Sequence, residues 1–157
     1  PFKGMAEAFR AVEGLDCEVW GVSGVGRPEP GWHCDRFFER VPFQVMNHLY
    51  SSCDILLKMS HTEGFPLPGL EMMACGGMVV ASRIPGFEEY MVDGYNGLLV
   101  PVHDHQAARE ALARLIRDRS LRETLMRRGE NTVKQWTWEY PINLLVELFT
   151  GHKTDPS

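Results

Sequence analysis

The sequence predicts an α/β domain with a Rossmann-like, mostly parallel sheet flanked by helices. Strand and helix patterns alternate from one end of the chain to the other, as such sheets require. Residues 54–60 (DILLKMS) and 78–82 (MVVAS) are nearly continuous apolar runs, which suits strands covered on both faces. Turns rich in Gly and Pro separate the segments.

Taken in order, residues 5–13 (MAEAFRAVE) read as an amphipathic helix with Met5, Ala8, Phe9 and Val12 on one face, ended by Gly14. Residues 17–22 follow as a short strand, 24–34 (GVGRPEPGWHC) as a loop, and 37–41 as a second strand closed by Pro42. A helix is expected over 44–53, then the apolar strand 54–60, in which Lys58 is the exception. Residues 68–75 are helical, with Pro68 early, where a missing amide hydrogen costs nothing, and Gly76-Gly77 at the exit. After the strand 78–82 come a short helix in IPGFEEYMV, two turns in DGYNG and a strand at 98–100. Helices over about 106–117, 121–135 and 139–149 complete the chain.

A chain of 157 residues that is 44% apolar can bury one sizeable core, so one domain is expected over 1–150, with 151–157 a loose tail. The formal charge of -5 supplies no basic field to draw the chain onto nucleic acid, so no nucleic-acid partner is expected. Nothing approaches the roughly 20 apolar residues of a membrane-spanning helix, and the N-terminal stretch lacks a signal-peptide layout, so a cytoplasmic location is expected. Cys17, Cys34, Cys53 and Cys75 are scattered, without the close pairs of zinc or redox motifs. His103 and His105 flank Asp104, but two histidines in a loop lack a third ligand, and Asp104 reads better as a helix cap.

Chemistry concentrates in residues 61–77 (HTEGFPLPGLEMMACGG), between the end of a buried strand and the start of a helix. In open α/β sheets ligands bind in that crevice, and unpaired amides and the dipole of the helix N-terminus attract a phosphate or the polar edge of a sugar. Gly64 allows a close backbone approach. Glu63 in the loop and Glu71 in the helix are separated by seven residues, so each carboxylate can meet one end of a ligand. Carboxylates suit sugar hydroxyls through charge-assisted hydrogen bonds. Two isolated glutamates would be ordinary surface residues; their setting makes them candidates.

That setting, Ser60, Glu63-Gly64-Phe65, Pro68, Leu70-Glu71-Met72, Ala74, Gly76 and Val79-Val80-Ala81-Ser82, resembles the donor-site signature of the retaining glycosyltransferases of family 4, which have the two-domain GT-B fold. The resemblance extends to Lys3-Gly4, to Gly86 with Glu89, to Asp93-Gly94-Tyr95-Asn96-Gly97, and to Trp136-Thr137-Trp138-Glu139. It implies the C-terminal, donor-binding half of such an enzyme, with a nucleoside-diphosphate sugar as substrate and no metal cofactor. By it Glu63 contacts the transferred sugar, as the catalytic candidate, and Glu71 the ribose. Lys3 neutralises the pyrophosphate, amides of Gly64, Phe65 and Leu67 hold sugar or phosphate, and the strand end at Val41 lies near the base. Rival readings are a GT-B epimerase or phosphorylase and a non-catalytic α/β binding module.

Pro66 departs from the family pattern, which places a small residue there; proline removes one amide donor from the loop. Lys58 stands where the family has an apolar residue, either snorkelling at a strand end or adding a phosphate contact. The resemblance also implies a first strand upstream of Pro1 and an acceptor-binding N-terminal domain, through which the enzyme could sit at the membrane periphery. Without that strand the sheet should be divided, closed up in a new order, or completed by a strand from elsewhere, the last being the expectation. Leu144, Leu145, Leu148 and Phe149 of the final helix form an apolar patch expected to invite self-association.

Overall fold

The computed structural model describes residues 3–151. Helix α1 (Met5–Val12) precedes strands β1 (Trp20–Ser23) and β2 (Arg36–Glu39); a 3₁₀ turn (Phe43–Val45) leads into α2 (Met46–Ser51). Strand β3 (Ile55–Lys58), α3 (Leu67–Ala74), β4 (Met78–Ser82), α4 (Pro85–Glu88) and β5 (Leu98–Val100) follow. Helices α5 (His105–Arg117), α6 (Arg119–Val133) and α7 (Glu139–Thr150) close the chain.

Every ladder is parallel. β3, β4 and β5 form one sheet in that order, with Ile55 opposite Met78 and Val80 opposite Leu98; β1 and β2 form a second, with Trp20 opposite Arg36. Among the described residues no strand stands between β1 and β3, and the two do not pair. The described strands thus form two separate parallel sheets. Of the three expected outcomes, the chain by itself shows the divided sheet.

The pleat of β4 explains the core. Met78 and Val80 point to one side, where Leu98, Val100, Ala108, Leu112, Leu115 and Leu125 pack with Ala11 of α1. Val79 and Ala81 point to the other, against Leu70, Met72, Met73, Phe87 and Met91. Helices α1 and α5 thus cover one face, α3 and α4 the opposite one, and α6 packs against both clusters through Leu125 and Val133. Tight contacts are met by glycine: Gly129 of α6 lies against Met73, where a Cβ would come within 3.1 Å of its Cγ.

The instructive departures from expectation lie in the strands β1, β2 and β3. β1 begins at Trp20, because Leu15 and Cys17 close a turn through the Cys17 amide and the Leu15 carbonyl. β2 ends at Glu39, because Arg40 takes a left-handed backbone (φ 53°) that no strand continues. Val41 is therefore not a strand end; it occupies the turn between Arg40 and Pro42. β3 is also shorter than the apolar run, ending at Lys58.

No residue of α7 is buried, and Leu144, Leu145, Leu148 and Phe149 are exposed. No helix among the described residues is long and apolar enough to cross a membrane.

Candidate functional site

β3 delivers the chain to Met59 and Ser60, both fully buried, and the loop then runs over residues 61–66 to the N-terminus of α3. Pro66 occupies the cap position with no side-chain hydrogen bond, and Pro68 stands in the first turn. The amides at this end face out of the helix, giving it a positive edge. Gly64 has open space where a side chain would be, and neither its amide nor that of Phe65 donates to a backbone carbonyl among the described residues. The amide of Leu67 does donate, to Phe65, at 3.1 Å.

Glu63 is the electrostatic centre of this loop. Its Oε1 accepts from Lys3 Nζ at 2.7 Å, Ser60 Oγ at 2.8 Å and Lys58 Nζ at 3.1 Å. Burial opposes the charged form, but these three donors outweigh it and hold the carboxyl at about 2. Burial draws the Lys58 ammonium below the ordinary lysine value, even with the Glu63 hydrogen bond pulling it upward. Lys58 therefore does not simply snorkel: it reaches a partner five residues on.

Gly4 is what allows Lys3 to arrive. It sits at φ 62°, and a Cβ there would overlap the Met59 carbonyl oxygen. The lysine-glycine pair is thus docked on the end of β3 by a backbone contact only glycine permits.

Glu71 lies on α3 and accepts a hydrogen bond from Tyr50 of α2 at 2.9 Å. Burial, then this hydrogen bond and the Glu71 charge, push the Tyr50 phenol well above its ordinary value, so it stays a donor. Tyr90, buried, donates to the Pro66 carbonyl at 2.6 Å. Phe65, 40% exposed, has its ring 5.5 Å from that of Tyr90 and 5.1 Å from that of Trp136. From the other side Gly86 backs the loop, where a Cβ would lie 2.8 Å from the Glu63 carbonyl oxygen and 2.6 Å from that of Gly64.

The structure therefore gathers Lys3, Lys58, Ser60 and Glu63 at one point, sets Glu71 on the adjoining helix, and leaves Val41 in the turn after β2. Sequence reasoning missed Tyr50 as the partner of Glu71 and both lysines as partners of Glu63. A lysine inside an apolar strand, five residues before a loop glutamate, was the available signal. A cleft of about 620 Å³ lies apart from Glu63 and Glu71, lined in part by Tyr95, Arg128, Trp136 and Tyr140. Its walls also carry Glu88 and Glu89.

A second cluster lies where α1 meets the loops after β3 and β5. His61 Nε2 and His103 Nδ1 approach the same Glu7 oxygen at 2.9 and 3.2 Å, and the two imidazoles are 3.9 Å apart, centre to centre. Asp104 caps α5, accepting from the Ala107 amide at 2.8 Å.

Paired charges at the carboxyl end of a strand in a parallel α/β sheet occupy the crevice where such sheets bind ligands. The comparisons with known proteins make this specific: residues 36–132 match the family Glycosyl transferases group 1, and the chain belongs to that family. A D-inositol 3-phosphate glycosyltransferase of Saccharomonospora viridis is 32% identical over 114 residues, 73% of this chain and 26% of that protein. The solved Anabaena HepE in complex with UDP-glucose superposes with a TM-score of 0.82 at 20% identity, over 96% of this chain and 46% of the other. The C-terminal domain of a glycosyl transferase group 1 family protein from Francisella tularensis gives 0.69 at 26% identity, covering 85% and 79%. These neighbours establish the fold as that of GT-B glycosyltransferases. The chain spans little more than a quarter of the length of the curated relatives it matches.

Proposed function

We propose that this chain is the donor-binding half of a retaining glycosyltransferase, moving a sugar from a nucleoside diphosphate to an acceptor held by a second, N-terminal domain. The observation that carries the reading is the ionised Glu63, fixed by Lys3, Lys58 and Ser60, beside the open N-terminus of α3 that bears Glu71. The UDP-glucose bound by the Anabaena neighbour supports the ligand class.

In this reading three donors occupy Oε1 of Glu63, leaving Oε2 for the hydroxyls of the transferred sugar. Tyr50 holds one oxygen of Glu71 and leaves the other for the ribose. The two lysines set positive charge beside the departing diphosphate, and the amides of Gly64 and Phe65 add to it, so catalysis is electrostatic and positional. Leu67 contributes its amide only by releasing Phe65. Attack comes from the face the diphosphate leaves, and no metal is required. The chain without its partner domain binds donor but does not transfer sugar.

Calorimetric titration of UDP into the chain tests the site. Glu71→Ala is expected to remove charge-assisted hydrogen bonds worth about 1.5 to 3 kcal/mol. Unchanged affinity would overturn the assignment of Glu71. In the enzyme that carries this domain, Glu63→Gln is expected to depress turnover while sparing diphosphate affinity; equal loss of both would make Glu63 a support of the loop.

A further inference from the structure

We propose that Glu7, His61 and His103 form a binding site for a divalent transition-metal ion of the zinc type. The three come from α1, the loop after β3 and the loop before α5, and their ligand atoms all lie within 4.8 Å of one another. Their chemistry matches the ion: two imidazole nitrogens and a carboxylate oxygen are a common zinc ligand set that leaves a fourth position for water. Their spacing matches too. Ligands about 2.0 Å from a tetrahedral ion stand about 3.3 Å apart, and the two imidazole nitrogens lie 2.9 and 3.2 Å from the Glu7 oxygen.

The site is partly enclosed, since the side chains of Glu7 and His61 are 18% and 23% exposed while that of His103 is 64% exposed and forms the open rim. His103 also adopts φ 67°, a conformation few residues other than glycine take, with its ring directed at Glu7. An ion here would tie the segment carrying Lys3 to the loop carrying Glu63. Hard cations that prefer an all-oxygen shell are excluded by the two imidazoles. The site is separate from the sugar-transfer chemistry and stands or falls without it.

The test is titration of ZnCl₂, and separately MgCl₂, into the EDTA-stripped chain, followed by calorimetry and by the visible spectrum of the Co²⁺ form. One zinc per chain at micromolar affinity or tighter, no magnesium binding and a nitrogen/oxygen-type cobalt spectrum are expected. His103→Ala, on the exposed rim, and Glu7→Gln should each weaken zinc at least about tenfold while leaving the circular dichroism unchanged. If Glu7→Gln disturbs folding, His103→Ala alone decides. Binding weaker than millimolar would overturn the proposal, as would binding that survives His103→Ala, or a thiolate-type cobalt spectrum pointing to the cysteines.

Discussion

β4 and β1 are both short strands in parallel ladders of one chain, yet they live in different surroundings. Every residue of β4 from Met78 to Ser82 is buried, whereas in β1 only Gly21 is, and Val22 is 42% exposed. β4 has a strand on either side and helices over both faces; β1 has a single partner, β2, and neither is covered in that way. Two-stranded units are marginal by themselves, and parallel strands depend on coverage. The comparison teaches that the stable body of this domain is the unit from β3 to α6, on which the first sheet depends.

Phenylalanine truncation gives the largest contrast. Phe87→Ala, in the fully buried cluster over β4, is expected to cost about 3 to 5 kcal/mol in urea denaturation, whereas Phe38→Ala in β2 should cost well under half as much. Equal losses would break the comparison. A glycine pair sharpens it next. Gly86→Ala forces a Cβ against the carbonyls of Glu63 and Gly64 and is expected to cost about 1 to 3 kcal/mol, while Gly24→Ala, just after β1, meets nothing within 4 Å and should be neutral or slightly stabilising.

How much of this was legible in the sequence follows the same division. β4 and β5 begin and end where the apolar runs do, because burial on both faces leaves no polar residue to blur an edge. The bounds of β1 and β2 were misplaced by one to three residues, because half-exposed strands carry a weak pattern and Arg40 breaks β2 through its backbone. Glu63 and Glu71 were legible because they lie within one strand-to-helix junction. Their distant partners Lys3 and Tyr50, and the meeting of Glu7, His61 and His103, were not, since contacts across 21 to 96 residues leave no mark on local spacing. The reading of Asp104 as a helix cap was local, and it holds.

α7 extends the contrast to the C-terminus. With none of its residues buried, it is expected to mediate concentration-dependent self-association of the chain, which Leu148→Glu with Phe149→Glu should weaken at least about tenfold by analytical ultracentrifugation. A chain that stays monomeric at high concentration would refute this. The smallest effect concerns caps. Asp104→Ala should cost about 1 kcal/mol by removing the α5 cap, while Trp138, which caps α7 with no side-chain hydrogen bond, should tolerate replacement by alanine. Thermal unfolding of the two variants measures both.

The loop from Ser60 to Pro66 is held from several directions at once: Tyr90 binds its last carbonyl, Gly86 backs it, and Glu63 is fixed by two ammonium groups and a hydroxyl. Such a loop has spent its freedom during folding. A molecule that settles there meets a mould already set, so its association should be fast and nearly free of ordering entropy. Loosening any one clasp would then be felt as a slower, costlier arrival long before a contact with the visitor itself is lost.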